Sequence, residues 1–392
     1  MLNALTDRTS RSFLRWGWLL PAFFPLAQIL GRGVFNSLSG IYFLWALLAL
    51  PGLRAGLRPA GREPFFILYA VLLVVWGASL AVAADPAKGM ETLARYLQYS
   101  LAGLFTYLAL QCVMDGPMRL LRMLSLGALL SVAVLYVQLP YFYWATDFNP
   151  TLQLREDNLP WLLPFVLAAL GLSKQTRWLA VGMVLIFAFY ILISQGRAAL
   201  VGLIAGLVLF GALAYGIRKR YLVGIALGGL AIGGLLSERF FRGLTALRFD
   251  FATLDLFSSG RATIWAQALA SPPDNPWLGV GLGNVTSHWQ VLQIGDVAVK
   301  HLHNFVFDAW FETGLLGLLA LFALFAAGYA AIIRAWTRLT TIDRQIAAAA
   351  IAASVAILAA GLFSYSYTSR QFALYLYLLF ALMLGLARRP PR

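Results

Sequence analysis

Residues 300–333 read KHLHNFVFDAWFETGLLGLLALFALFAAGYAAII, and this stretch decides the class of fold. Its apolar part, 304–333, exceeds the roughly 20 residues that cross a bilayer as a helix, so we expect it to begin as an interfacial helix and then to span the membrane. Apolar runs of similar character recur along the chain, which is 61% hydrophobic and only 12% charged. This composition argues against a soluble domain and predicts an all-α integral membrane protein.

Twelve apolar runs are long enough to span a membrane, so we expect about 12 transmembrane helices. They lie at 13–31, 37–53, 64–84, 97–114, 121–140, 159–173, 178–194, 198–216, 221–237, 304–333, 345–366 and 371–387. The predicted organisation is therefore nine spans in residues 1–237, one large loop at 238–303, and three spans with a basic C-terminus in residues 304–392. The single cysteine, Cys112, falls within the fourth run, so no internal disulfide is possible.

The distribution of Lys and Arg predicts the side on which each loop lies. With the N-terminus inside and twelve alternating spans, the inner face holds 19 of the 30 basic residues. These are Arg8, Arg11, Arg15, Arg54, Arg58, Arg62, Arg119, Arg122, Lys174, Arg177, Arg218, Lys219, Arg220, Arg334, Arg338, Arg344, Arg388, Arg389 and Arg392. The net charge of +14 is thus a signal of topology and gives no support to nucleic-acid binding. The outer side is predicted to hold 85–96, 141–158, 194–197, 238–303 and 367–370.

The 238–303 loop contains two predicted amphipathic helices. An apolar stripe with spacings of four, three, four and three residues predicts a helix along the membrane surface, and its members are Phe240, Leu244, Leu247, Phe251 and Leu254. Ser258-Ser259-Gly260 interrupts this helix and offers an N-cap for a second one that begins near Arg261.

Further along the same loop, Gly279, Gly281 and Gly283 alternate with apolar residues. They follow a Pro-rich turn and lack the strand–turn–helix unit that a dinucleotide site requires. We therefore interpret them as a turn that lets backbone approach backbone or ligand.

Two of the three histidines, His301 and His303, lie just before the tenth apolar run. Imidazole exchanges a proton near neutral pH, and a polar side chain at this depth is a candidate functional group. The alternative is that both are interfacial side chains with solvated ring tips. Asp308 and Glu312 follow them, and either is a candidate to orient an imidazole or to face a substrate.

A metal site offers another interpretation of this region. Its ligands would be His288, Asp296, His301 and His303, but their spacing matches no common zinc pattern and no cysteine lies nearby. We therefore expect neither a metal nor a cofactor.

Two arginines are expected on the same outer face as the histidines. Arg197 lies in the tight turn 194–197, and Arg261 follows Gly260 in the large loop. Guanidinium groups bind phosphate oxygens through two parallel N–H bonds. The alternatives are a snorkelling side chain at a helix end for Arg197 and a surface ion pair for Arg261. Weaker candidates on this face are Arg155, Arg95 and Lys300.

The sequence around the second histidine resembles a known signature. His303-Asn304, followed after nine residues by Gly314-Leu-Leu-Gly317, is similar to the His-[Asn/Ser/Gln]-x9-Gly-x-x-Gly signature of bacterial O-antigen ligases. Three further segments resemble motifs of the wider O-antigen ligase and polymerase superfamily, namely Ser259-Gly260-Arg261…Trp265, Pro276…Gly279-x-Gly281-x-Gly283 and Gln195-Gly196-Arg197-Ala198. The architecture resembles this family over the whole chain, and the motifs cover a much smaller part of it.

The resemblance implies a glycosyltransferase of the bacterial inner membrane whose active site faces the periplasm. It would take glycan from an undecaprenyl diphosphate carrier and attach it to a sugar hydroxyl of lipid A–core. His303 would be the general base, Arg197 and Arg261 would bind the diphosphate, and a single in-line displacement would invert the anomeric centre. Accessory candidates are His301, Arg155 and Asn304. The implied partners are the two substrates and membrane lipids, with no nucleic acid.

Two alternative functions stay open. An O-antigen polymerase or a protein O-oligosaccharyltransferase uses the same donor with a different acceptor. A flippase or transporter for lipid-linked glycans makes no bond, and is expected to show broken spans with polar residues near the middle of the bilayer. Here the polar residues gather at the outer ends of the spans, which favours chemistry at the membrane surface.

Overall fold

The protein is a helical membrane protein. The computed structural model describes residues 2–17, 19–60, 62–113, 115–145, 161–172, 175–193, 196–218, 224, 228, 251–258, 260–286, 293–294, 297–298 and 301–389. Among these residues, 7 helices are long and apolar enough to cross a membrane. The predicted helical architecture is therefore confirmed, and the long apolar helices are consistent with a membrane protein.

The described α-helices follow one another with short connections. In chain order they are α1 (Leu2–Trp16), α2 (Phe24–Leu30), α3 (Arg32–Ala60), α4 (Pro64–Ser79), α5 (Pro86–Cys112), α6 (Gly116–Ala145), α7 (Leu163–Gly171), α8 (Arg177–Ile193), α9 (Arg197–Tyr215), α10 (Phe251–Ser258), α11 (Arg261–Ala270), α12 (Phe305–Ala335), α13 (Thr341–Gly361) and α14 (Arg370–Ala387). Single 3₁₀ turns lie at Leu20–Phe23, Leu80–Val82 and Trp336–Arg338. Two short strands, β1 (Gln293–Ile294) and β2 (Val297–Ala298), pair antiparallel.

The candidate spans correspond to seven of the twelve predicted runs. They are Gly33–Gly52, Pro64–Val82, Gly116–Gln138, Ala198–Tyr215, Phe305–Arg338, Thr341–Gly361 and Arg370–Ala387. The run 13–31 is divided among α1, a 3₁₀ turn and α2, and the run 159–173 contains only the 9-residue α7. The run 221–237 lies outside the described residues except for Gly224 and Gly228. A total of twelve spans stays a prediction.

Helix α14 forms the centre of the bundle, since 89% of its apolar window is buried inside the protein. It packs against α5, α12 and α13. Aromatic contacts connect this centre to the chain between α13 and α14, because Trp76 lies 4.5 Å from Tyr96 and 5.1 Å from Tyr367 between ring centroids. Each such pair is worth about 0.5–1.5 kcal/mol beyond its buried area. These contacts hold the 362–369 connection in place at one end of the bundle.

A break divides α12 at Gly314, where φ is 64° and ψ is −167°. Only glycine adopts such a backbone without strain. Backbone groups near the break bond to the glycine-containing loop, since Val280 N donates to Phe311 O at 2.9 Å and Leu315 N donates to Pro276 O at 2.9 Å. The tenth run is thus divided into a first segment, 305–313, and a longer apolar helix, as expected. The position of the first segment relative to the membrane surface stays a prediction.

Candidate active site

Three segments that the charge pattern predicts on one side of the membrane meet at one end of the bundle. Asp85 N donates to Asn284 Oδ1 at 2.8 Å, which joins the start of α5 to the large loop. The Tyr367 hydroxyl donates to Glu312 Oε2 at 2.7 Å, which joins the α13–α14 connection to α12. The prediction that 85–96, 238–303 and 367–370 share one side of the membrane requires that they lie near one another. Which side of the membrane they face stays a prediction.

The two histidines form a strained turn at this end. His303 has φ of 53° and is the one non-glycine residue with positive φ in the described part of the chain. This conformation is about 1–2 kcal/mol less favourable for an L residue than the usual one, so contacts with the surroundings must hold His303 in it. The backbone N–H of His303 donates to Nδ1 of His301 at 3.2 Å. Nδ1 of His301 is therefore an acceptor, and the neutral ring carries its proton on Nε2.

The imidazole of His303 is half-buried and hydrogen-bonded on one side. One ring N–H donates to the backbone carbonyl of Ser364, in the α13–α14 connection. This bond fixes the tautomer and leaves the other nitrogen with a lone pair. Burial, followed by the charges of His301 and Arg261, lowers the pKa of His303 to about 3, against the opposing effect of the Ser364 carbonyl. The ring is therefore neutral at physiological pH and can accept a proton.

Asp308 and Asn304 support the backbone of this turn. Asp308 is fully buried, and its Oδ1 accepts the N–H of Leu302, between the two histidines, at 2.8 Å. Asn304 is the N-cap of α12, and its Oδ1 accepts from Val306 N at 2.9 Å. This contact of Asp308 is with the peptide between the rings, so it fixes the turn that presents the imidazoles. Asn304 of the signature has a structural role as a helix cap.

Helix α11 brings Arg261 to the histidine turn. The helix begins at Arg261, as predicted, and its first turn is capped by Ser258 Oγ, which accepts from Ala262 N at 2.8 Å. Trp265, one turn further on, donates from Nε1 to Leu302 O at 2.9 Å. Residues four apart share a helix face, so Arg261 faces the same turn. Burial, followed by the positive charge of Arg261, lowers the pKa of His301, and the same charge adds to the lowering at His303.

The glycine-containing loop lies against the broken start of α12. At Gly279, where φ is 70°, the backbone of Phe311 and Glu312 occupies the space that a side chain would need. Glu312 accepts the backbone N–H of Gly283 as well as the Tyr367 hydroxyl. The interpretation of this loop as a close approach of backbone to backbone is confirmed.

Several predicted site residues lie wholly or partly outside the description. Arg197 is the first residue of α9, after Gly196, but its side chain is not described. Helix α9 packs along α13, which leads into Ser364. The predicted residues that lie outside the described part of the chain are Arg155, Lys300, His288 and Asp296.

The α13–α14 connection contributes residues that sequence reasoning missed. Ser364 and Tyr367 contact the site as described above, and the Ser366 side chain faces the Asp308 carboxylate. Arg370 Nη1 donates to Asn36 Oδ1 at 2.6 Å, and the Tyr99 hydroxyl donates to the same oxygen at 2.9 Å. The sequence does contain a pattern that could have indicated these residues, because Ser-Tyr-Ser-Tyr-Thr-Ser-Arg at 364–370 is a polar run between two apolar runs.

These features define a class of protein: a multi-span helical membrane protein with a neutral histidine, a nearby arginine and a buried carboxylate network at one end of its helices. Residues 182–322 match a family model described as O-antigen ligase (Wzy_C), which confirms the predicted resemblance to the O-antigen ligase and polymerase family. The match runs from α8 into α12 and includes the histidine turn, Arg261 and the glycine-containing loop. This match supports a glycosyltransferase-like activity in O-antigen assembly. A search of curated proteins finds no match.

Proposed function

We propose that this protein is an O-antigen ligase of the bacterial inner membrane. It transfers glycan from undecaprenyl diphosphate to a sugar hydroxyl of lipid A–core on the periplasmic face. The observation that carries the proposal is the histidine turn, in which a neutral imidazole with one free lone pair lies within electrostatic reach of Arg261. A general base and a fixed cation are what attack by a hydroxyl and departure of a diphosphate require.

In the proposed reaction, His303 accepts the proton of the acceptor hydroxyl through its unbonded nitrogen. The hydroxyl oxygen forms a bond to the anomeric carbon as the bond from that carbon to the diphosphate oxygen breaks. The electron pair of the broken bond leaves with undecaprenyl diphosphate. A single displacement of this kind inverts the anomeric configuration. No metal takes part in these steps.

Arg261 has a second effect on the proposed base. Its charge helps to lower the pKa of His303 in the empty site. A bound diphosphate offsets that charge and therefore raises the pKa of His303 toward the range in which a general base is most effective. Donor binding thus improves the base, and Arg197 is proposed to bind the same diphosphate from the start of α9.

The contacts favour His303 over His301 as the base. Nδ1 of His301 already accepts the backbone N–H of His303, and its other nitrogen carries the proton when the ring is neutral. His301 is therefore proposed to act as a positioning residue that holds the turn. This assignment agrees with the register that Asn304 sets in the signature.

A second candidate function is an O-antigen polymerase, and one observation favours it. Arg370 and Arg95, two further cations, both lie near Tyr99. A polymerase acceptor carries its own diphosphate and needs such a second site. Arg95 is ion-paired with Glu91 at 3.7 Å and Arg370 is bonded to Asn36, so both guanidinium groups already have partners. We therefore retain the ligase as the first proposal.

Reconstitution with purified components tests the proposal. The full-length protein is incubated with undecaprenyl diphosphate-linked glycan and lipid A–core, and both lipid products are separated on gels. A ligase modifies lipid A–core and produces no longer carrier-linked chains. Carrier-linked lengthening alone identifies a polymerase, and movement of the donor across liposomes without any new bond identifies a flippase. Transfer that persists in the presence of a chelator supports a reaction without a metal.

A further inference from the structure

A basic cavity lies at the end of the bundle opposite to the histidine turn. It has a volume of about 220 Å³ and is bounded by the start of α4 and by the last turns of α12 and α14. Helix α12 runs from Phe305, beside the histidines, to Ala335, beside this cavity. The cavity is therefore separated from the proposed active site by the length of a membrane span and takes no part in glycosyl transfer.

The lining of the cavity has an excess of positive charge. Three guanidinium groups line it, those of Arg334, Arg338 and Arg388, and Glu63 is the one acidic side chain among its described lining residues. Arg388 is ion-paired with Glu63. Two positive charges are therefore left over in a small cavity. A diffuse excess of basic residues on one side of the membrane explains their side but not their convergence on one cavity.

Neighbouring arginines show how such charges are otherwise satisfied. Arg389 is paired with Asp343 at 3.1 Å, and Arg344 donates to the carbonyls of Trp336 and Thr337 at 3.1 and 2.9 Å. Arg334 and Arg338, by contrast, are exposed at the cavity. Arg334 Nε donates to Ala330 O, and Arg338 Nη2 donates to Ala387 O. Each guanidinium has five N–H donors, so several remain to bind an anion.

The rest of the lining is apolar, with Phe65, Ala327 and Leu384 beside the charges. A cavity with cations at its mouth and apolar side chains at the ends of membrane helices suits a ligand with a phosphate and an acyl chain. We infer that it binds the phosphate of an anionic glycerophospholipid of the surrounding leaflet. In this arrangement the arginines contact the phosphodiester, and the apolar side chains lie beside the start of the acyl chains.

Native mass spectrometry of the detergent-purified full-length protein tests this inference. The protein is titrated separately with cardiolipin, with phosphatidylglycerol and with zwitterionic phosphatidylethanolamine. We expect both anionic lipids to bind in preference to phosphatidylethanolamine. Arg334→Gln and Arg338→Gln should each weaken this binding about fivefold, the equivalent of ~1 kcal/mol per arginine near the membrane surface. Arg11→Gln is the matched control, because it removes one positive charge from an exposed pair with Asp7 in α1.

A second variant distinguishes loss of lipid binding from loss of the folded structure. Glu63→Gln removes the acidic side chain of the lining and should strengthen anionic-lipid binding, a gain that unfolding cannot produce. Equal binding of anionic and zwitterionic lipids would overturn the inference. So would equal losses in the Arg11→Gln control, or weaker binding in Glu63→Gln. Inorganic phosphate is tested as a competitor, and complete displacement of the lipid by phosphate alone would show an anion site instead of a lipid site.

Discussion

Replacing His303 by alanine and by glycine separates its proposed chemistry from its backbone strain. Both changes remove the imidazole. They differ at the backbone, because His303 has φ of 53°, where a Cβ atom is unfavourable and glycine is not. Activity and stability should therefore respond in different ways to the two changes.

The two magnitudes follow from separate causes. Loss of a general base lowers the rate about 10²- to 10⁴-fold, which corresponds to about 3–5 kcal/mol of barrier. We expect this loss in both variants. Glycine relieves the left-handed strain that alanine keeps, so His303→Gly should be more stable than His303→Ala by about 1 kcal/mol.

The assay measures release of undecaprenyl diphosphate from the glycan donor, a step common to ligase and polymerase. Thermal unfolding of the same detergent-purified samples gives the order of stability. Added imidazole should partly restore release by His303→Gly, because the missing ring leaves space beside the Ser364 carbonyl.

Two results would refute the reasoning. Near-normal release by His303→Gly would show that the turn needs relief from strain and not an imidazole. A larger loss in His301→Ala than in His303→Ala would transfer the role of base to the other ring.

Four further predictions concern neighbouring groups and topology. His301→Asn keeps a side-chain acceptor for the His303 N–H and should retain more activity than His301→Ala, with the pH profile unchanged; equal losses would remove the positioning role. Arg261→Lys and Arg197→Lys should lose nearly as much activity as the alanine variants, because an ammonium group lacks the planar fork, and full activity in both would make them structural charges. The pKa of His303 is about 3 in the empty site, so protonation of His303 should not lower kcat/KM between about pH 8 and about pH 5. Because the bound diphosphate raises this pKa, the acidic limb of the kcat profile should lie at higher pH than the acidic limb of kcat/KM. The reverse order would contradict the proposed effect of the diphosphate. Cysteine labelling should place position 270 outside the cytoplasm, and labelling only from the cytoplasm would contradict the shared-face assignment.

The break in α12 gives another test. Gly314→Ala places a side chain against the backbone of Trp277 at a positive φ, so it should destabilise the protein by at least about 1–3 kcal/mol and reduce transfer. Gly182→Ala in α8 is the matched control, because nothing lies within 4 Å of its new Cβ. Equal melting temperatures for the two variants would show that the glycine-containing loop does not depend on the break.

Hydropathy and caps predicted much of the architecture. Long apolar runs identified the candidate spans because the bilayer sets their length, and Ser258 with Gly260 predicted the start of α11 at Arg261. The division of 13–31 into α1, a 3₁₀ turn and α2 was not predictable from mean hydropathy, since all three pieces contain apolar residues.

The site was predictable only in part, because its geometry depends on contacts between distant segments. The signature pointed to His303 and Arg261, and the structure brings them together. The carbonyl of Ser364 leaves no trace in a side-chain pattern, although the polar run that contains it was visible. The left-handed backbone of His303 was equally unpredictable, since nothing in the sequence indicates that this histidine has a positive φ.

The contact between His303 and Ser364 has a consequence for biogenesis. Ser364 lies beyond α13 in the chain. Tyr367 lies 55 residues after Glu312, the carboxylate to which it donates. A chain whose synthesis has only reached α13 already contains the histidines, but Ser364 and Tyr367 do not yet exist. The proposed catalytic ring therefore acquires its tautomer only after the last hydrophobic segments have been inserted. A nascent or prematurely terminated chain consequently lacks the contacts that position the proposed base.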